Sequence, residues 1–171
     1  MKKIKLGDIY KFQFGEGNIN PDNGGEYPIY GSNGIIGGYT KYNNEDTPII
    51  GHIGANAGCV VFGKGKHFVT YNGIMCYLKD GFDKMYAYYL LTILKLQDRA
   101  KGSAQPFLTY NMLEDINISV LPYEKQVKIG KILSDLDMQI ERNNAMVQKL
   151  LSFVYTICCI SHKKGELQYA C

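Results

Sequence analysis

Two different rhythms of apolar and polar positions divide the chain. Over roughly the first 120 residues the apolar runs are short and broken by turn-forming clusters: Asn-Gly-Gly at 23, Gly-Ser-Asn-Gly at 31, Gly-Gly at 37 and Asn-Asn at 43. Runs of this length between such breakers predict short strands joined by tight turns. The strands expected are Tyr-Pro-Ile-Tyr from 27, Ile-Ile-Gly-Gly-Tyr-Thr from 35, the run 47–53, two separate runs at 58–63 and 67–72, and 73–79. The run Met85 to Gln97 is apolar or aromatic on most sides and predicts a buried helix. Ile116, Ile118 and Val120 alternate with Asn117 and Ser119 as in a half-buried strand, which Pro122 ends.

Beyond Pro122 the period lengthens. Ile129, Leu133, Leu136, Ile140, Asn143, Val147, Leu150, Val154 and Ile157 are separated alternately by four and three residues, with no proline and only Gly130 as an interruption. That is a heptad seam, and at about 1.5 Å per residue it runs for roughly 40 Å. A domain of about 120 residues cannot cover such a helix along its length, so the seam predicts a partner helix. Asn143 strengthens this expectation, because one amide in an apolar seam sets register and partner number at some cost in stability. The alternative is an amphipathic helix folded back on its own domain. The expected class is therefore α+β: a mixed, strand-rich domain over 1–122, one long C-terminal coiled-coil helix over 123–158, and a tail over 159–171.

Composition narrows the function classes. No run approaches the length of a membrane span, and the start turns polar too early for a secretory signal, so the expected location is cytoplasmic. The five cysteines have neither CxxC nor CxxH spacing, which predicts reduced thiols and no metal site. A net charge of +3 does not by itself indicate a polyanionic partner. Its distribution is more informative: the stretch 47–79 has three lysines, Lys64, Lys66 and Lys79, and no Asp or Glu.

Candidates for chemistry fail one by one. Gly51, Gly54 and Gly58 do not have the GxGxxG spacing, no Walker lysine-serine pair follows, and the next segment reads as a strand, so turns explain them better than a phosphate cradle. His52, Cys59 and His67 lack any third group to orient a nucleophile and base. Glu114 and Asp115 are explained by solvation or helix capping. The Gly-rich start and the Asn20-Pro21 pair lack the aromatics with which a methyltransferase would hold its cofactor and a flipped base. No catalytic residue, cofactor or metal is expected. What remains is a set of groups suited to DNA: Lys41, Asn43, Asn44, His52, Asn56, Lys64, Lys66, His67, Tyr71, Asn72, Lys101, Ser103 and Gln105. Lysines reach phosphates as point charges, whereas Asn, Gln, Ser and His can read base edges. Singly, each is an ordinary loop side chain; as a set they predict a binding face.

The order of blocks in this chain is distinctive: YPIYGSNGIIGGYTKY, PIIGHIGANAGCVVF, YNGI, GSAQPFLTYNMLEDINISVLP, then EKQVKIGKILSDLDMQIERN. Over residues 1 to about 155 it resembles one target-recognition half of the DNA-specificity subunit of type I restriction-modification enzymes. The last two blocks, an S-x-Q loop feeding a strand and then Leu-Pro, Glu-x-Gln and a long helix with ILSDLD, are the most specific part. The resemblance implies a non-catalytic subunit that reads half of a split target in double-stranded DNA, while separate methyltransferase and restriction subunits carry the catalysis.

It also implies two recognition domains whose helices pack antiparallel as a spacer, and here only one of each is present. A half-length form pairing with itself, or with another specificity half-subunit, answers both that shortage and the seam. Ile129, Leu133, Leu136, Ile140, Asn143, Val147, Leu150 and Val154 would then carry dimerisation. Lys64, Lys66 and Lys101 are expected on phosphates, His52, Asn56, Asn72 and Gln105 on base edges, with Lys41, His67 and Ser103 completing the DNA-contact set. The resemblance makes the loop around 101–111 the part that holds a variable head onto its spacer, which weighs against base reading by Gln105. Alternatives are a truncated or silent specificity cassette and a coiled-coil adaptor without DNA binding.

Overall fold

The computed structural model describes residues 2–17 and 24–163, with side chains described through Cys159. The expected Asn20-Pro21 pair and the tail beyond residue 163 lie outside the described residues. The chain divides into two compact units, Met1–Lys131 and Ile132–Cys171.

Among the described residues of the first unit, eight strands form two sheets. Strands β1 (Lys2–Lys5) and β8 (Asn117–Val120) pair antiparallel, with Ile4 opposite Ile118. The larger sheet has the order β2 (Tyr10–Phe14), β7 (Gly73–Leu78), β5 (Asn44–Gly51), β6 (Val60–Val69), β3 (Tyr27–Gly31), β4 (Gly34–Tyr39). It is mixed, because β3 runs parallel to β6 while its other pairs are antiparallel. The α+β expectation holds, with mixed strands followed by one long helix.

Four short elements join the strands. Helix α1 (Leu6–Ile9) and α3 (Tyr110–Glu114) are single turns, α2 (Lys84–Ile93) is the predicted apolar helix, and a 3-10 turn follows it at Leu96–Arg99. Asp83 caps α2 by accepting a hydrogen bond from the Tyr86 N–H at 2.8 Å. Leu6, Ile9 and Tyr10, the inner faces of β2 and β7, and Leu90, Leu91, Leu96, Leu108 and Leu113 make one continuous core. A second, smaller cluster joins Tyr30, Ile49, Val69 and Met75.

The two strands expected at 58–63 and 67–72 are one strand, β6. Lys-Gly-Lys at 64–66 reads as a turn, yet it is a bulge. Asp46 at φ 50° and Gly65 at φ 60° lie opposite each other, the β5–β6 register shifts between Glu45 and Thr47, and the Gly65 N–H donates to Asp46 Oδ1 at 2.8 Å. Paired bulges bend both strands without ending the ladder. The bend brings Val69 back against Ile49 and Met75.

Helix α4 (Tyr123–Lys163) is rooted in the first unit. Gln126 is buried there: its Oε1 accepts from the Asp83 N–H at 3.1 Å and its Nε2 donates to the Leu121 carbonyl at 2.8 Å. Gly130 makes the close approach possible, since a Cβ at that position would lie 2.2 Å from Asp83 Oδ1, the cap of α2. Ile129, the first position of the predicted seam, packs against the core of the first unit. The seam available to a partner therefore begins at Leu133.

In the second unit the helix is polar on one side and apolar on the other. Leu136, Ile140, Val147, Leu150 and Val154 are 49–57% exposed. Ile132, Met146 and Phe153, one position before seam residues, widen the apolar band. None of the described helices is long and apolar enough to cross a membrane.

Candidate functional site

Five loops meet at the end of the large sheet where β5 leaves the ladder. They are the turn after β2 at 15–17, the β3–β4 turn at 32–33, the loop 52–59, the turn 70–72, and the loop 101–107. All but the 32–33 turn are tied to one another by backbone hydrogen bonds. The Gly15 N–H donates to the Gly73 carbonyl at 2.9 Å, Tyr71 N–H to Gly17 at 3.1 Å, and His52 N–H to Asn72 at 2.8 Å. Gly54 N–H donates to Pro106 at 2.8 Å and Leu108 N–H to His52 at 2.9 Å. At Gly51 a Cβ would lie 2.2 Å from the Asn56 carbonyl and 2.4 Å from that of Ser32, so glycine lets three of these segments converge.

The loop 101–107 is closed at its base. Lys101 and Phe107 exchange backbone hydrogen bonds of 3.0 and 2.8 Å, and Phe107 also bridges to Ile53. Gly102 turns the chain at φ 101°, with the Gln105 carbonyl 2.6 Å from where a Cβ would be. Gln105 precedes Pro106, which disfavours the helical region for it. The segment is thus a fixed loop that presents Lys101, Ser103 and Gln105 exposed to solvent.

Beneath these loops lies an aromatic cluster. Phe14 stacks on Tyr110 at 4.2 Å between ring centroids and lies 4.3 Å from the His52 ring. The Tyr110 hydroxyl accepts the Phe14 N–H, and His52 Nδ1 donates to the Leu108 carbonyl at 2.7 Å. Tyr71 closes the cluster, edge-on to His52 at 5.2 Å and tilted on Phe14 at 5.4 Å, and remains 44% exposed. Burial raises the Tyr110 hydroxyl pKa above its ordinary value.

The structure separates the predicted DNA-contact residues into three groups. Asn56 and Asn72, half-buried, and Lys101, Ser103 and Gln105, exposed, share the loop face. Lys64 and Lys66 are exposed at the β5–β6 bend, and Lys41 is exposed just before β5. Lys66 lies over the Tyr42 ring at 4.7 Å, and a hydrogen bond with that tyrosine is the main reason its pKa is raised. Acids absent from the sequence stretch 47–79 arrive here in space: Glu45 is opposite Lys66, and Asp46 lies 3.7 Å from Lys84.

The two histidines form the third group, and both are buried. His52 is held inside the aromatic cluster. His67 Nδ1 bonds the Gly65 carbonyl at 2.8 Å, its Nε2 has no partner among the described residues, and its ring packs edge-on to Tyr30 and over Gly63. Neither ring is presented as a surface group. Burial lowers the His67 pKa, more than the Gly65 carbonyl, Asp46 and Glu45 raise it. Asn43 and Asn44, also named from sequence, hydrogen-bond within the bend: Asn43 accepts from the Val69 N–H at 2.8 Å and donates to its carbonyl at 3.0 Å.

Sequence reasoning missed Asn33 and Phe107, both exposed on the loop face. It also missed β1 and β2, although Tyr10, Phe12 and Phe14 alternate with Lys11 and Gln13 and carry the period-two signal. Among the described residues no group of His, Cys, Asp and Glu is arranged to hold a metal.

Comparison with known proteins agrees with this architecture. The family model described as "Type I restriction modification DNA specificity domain" matches residues 1–151. The chain is 32% identical over 145 residues to the EcoprrI type I restriction enzyme specificity subunit of Escherichia coli, covering 80% of this chain and 36% of that protein. It is 28% identical over 163 residues to the MjaVIII specificity subunit of Methanocaldococcus jannaschii, covering 86% of this chain and 38% of the relative. The crystal structure of the type I restriction-modification S subunit from M. genitalium superposes with a TM-score of 0.74 at 20% identity, over 82% of this chain and 40% of that one. The chain thus spans well under half the length of each of these proteins.

Proposed function

Since the chain belongs to the type I restriction-modification DNA specificity domain family, we propose that it is a non-catalytic DNA-recognition subunit that reads one half of a split target. On this reading it directs separate methyltransferase and restriction subunits and works as an antiparallel homodimer. The observation that carries the proposal is the union, in one chain, of a rigid loop face and a long helix with an exposed apolar seam. The loop face offers amides, a hydroxyl and the ammonium of Lys101, groups suited to reading base edges and holding phosphates.

In this reading the division of the chain is a recognition domain over 1–122, a spacer and dimerisation helix over 123–158, and a tail. Lys41, Lys64, Lys66 and Lys101 contact phosphates, and Ser103 supports Lys101. Asn56 and Asn72 read base edges, with Gln105 beside them on the family's more constant loop. His52 and His67, being buried, act by holding the loop face and the sheet bend in shape. Two copies paired in a and d layers place Asn143 opposite Ile140 or Val147 of the second copy, near the middle of the spacer. The spacer helix then sets the gap between half-sites.

A two-fold pair reads the same half-site twice in inverted orientation. Co-expression with the cognate methyltransferase subunits, followed by mapping of methylated sites, is therefore expected to show a palindromic split motif. A non-palindromic motif dependent on this gene would overturn the homodimer. No change in methylation on deletion would instead identify a silent cassette, and complexes that shift DNA with no sequence preference would identify an adaptor.

A further inference from the structure

We propose that Tyr71 is a specificity-determining residue whose ring contacts the 5-methyl group of a thymine in the major groove. This rests on the reading of the chain as a DNA-recognition subunit and names a residue that performs part of it. Tyr71 combines two properties that oppose each other in most surface side chains: it is 44% exposed, and its surroundings are rigid.

The rigidity comes from both backbone and ring. The turn is closed by the Gly73 N–H donating to the Thr70 carbonyl at 2.9 Å. Thr70 N–H donates to Tyr30 at 3.0 Å, Tyr71 N–H to Gly17 at 3.1 Å, and the Asn72 carbonyl accepts from His52 at 2.8 Å. Every residue of the turn is thus anchored to a different neighbouring segment. The ring rests on Phe14 and His52, which are themselves fixed by Tyr110 and by the Leu108 carbonyl. A large apolar group ordered before binding loses little entropy on contact.

A structural role alone does not account for the exposed half of this ring. Phe14, His52 and Tyr110 already form a packed cluster beneath it. The neighbours supply the ligand chemistry. Asn72 is the next residue of the same turn, and Asn56 lies on the loop hydrogen-bonded to that turn through His52. Asparagine is the side chain suited to the N6 and N7 edge of adenine, a pattern displayed in the major groove. Every adenine there is accompanied by the methyl group of its thymine, the one apolar feature of the groove that carries sequence information. A turn presenting Tyr71 and Asn72 side by side matches that pairing of methyl and amide.

The test uses the chain assembled with its methyltransferase subunits and duplexes bearing the mapped half-site, in which each thymine in turn is replaced by deoxyuridine. Uracil pairs identically and lacks only the methyl. For the native chain one replacement is expected to weaken binding by about tenfold. In Tyr71→Ala and Tyr71→Asn the same replacement is expected to have no further effect, while Tyr71→Phe retains the thymine dependence. Circular dichroism and melting of each variant identify any that fail to fold. Sequence-specific binding with no thymine whose effect vanishes in the Tyr71 variants overturns the inference and leaves the recognition reading standing. Loss of sequence preference in the native complex itself defeats both.

Discussion

His67 illustrates how a residue suited to one role by type is assigned another by position. A histidine directly after Lys-Gly-Lys in a glycine-rich strand has the composition of a DNA contact, yet the bend in β5 and β6 folds it inward over Gly63. Its pKa is lowered from 6.5 by burial, against the smaller opposing pull of the Gly65 carbonyl and of Asp46 and Glu45. The sign of the linkage follows. Above about pH 6.5 the ring is neutral in folded and unfolded chains alike, and its packing is fully available. As the pH drops below that value the unfolded chain takes up a proton that the folded one resists, so stability is lost until the folded pKa is passed. The melting temperature is expected to fall between pH 7.5 and 5.5, and to fall less in His67→Gln; an equal fall in both would show that His67 does not contribute. Gln126 is the converse case, a surface-type amide that the structure buries and pairs at both ends.

At the scale of elements, α4 is two things joined end to end. Its first turns are part of the recognition unit, pinned by Gln126 and by the close approach of Gly130 to Asp83. Its remainder carries the exposed band from Ile132 to Ile157. A heptad pattern reports that a face is apolar, and it does not say whether the chain's own domain or another helix covers a given turn. That is why Ile129 reads as seam and packs as core. The free part of the seam makes a direct prediction. Leu136→Asp or Ile140→Asp places a charge in the interface of an antiparallel pair and is expected to yield monomers by light scattering, with the recognition unit still folded by circular dichroism. Persistence of the dimer in both variants would mean that two-fold pairing uses another surface. Asn143, polar in the middle of the band, limits the registers available to that pair.

At the scale of the whole molecule, the proposed DNA-recognition role sets a modest net charge of +3 against a polyanionic partner, so placement matters more than total. Lys101 stands on the fixed loop face, whereas Lys66 is engaged by Tyr42 and faces Glu45 across the strand pair. These differ as phosphate ligands. Each lysine that releases a counterion contributes about 0.9 to the slope of log K against log salt. In a homodimer every lysine counts twice, so Lys101→Ala is expected to reduce the slope by about two units, and Lys66→Ala by less. Measured binding of the assembled complex across a salt series checks this. A reduction of about one unit for Lys101→Ala would indicate that only one copy engages DNA.

The sequence by itself determined the class of this protein, most of the strands after residue 27, the long helix and the blocks that mark its family. These are legible because apolar period and turn residues act locally, within the span of a single element. It also contained β2, whose alternation at Tyr10, Phe12 and Phe14 needs only to be read. What the tertiary structure alone decided is which residues share a surface. The β5–β6 bend depends on Asp46 meeting Gly65 across two strands, and it converts a predicted turn into a continuous strand and a predicted contact histidine into core. The loop face depends on backbone hydrogen bonds between segments as far apart as Gly54 and Pro106, or Tyr71 and Gly17. Such pairings cost chain entropy that only the assembled fold offsets, so no local pattern announces them.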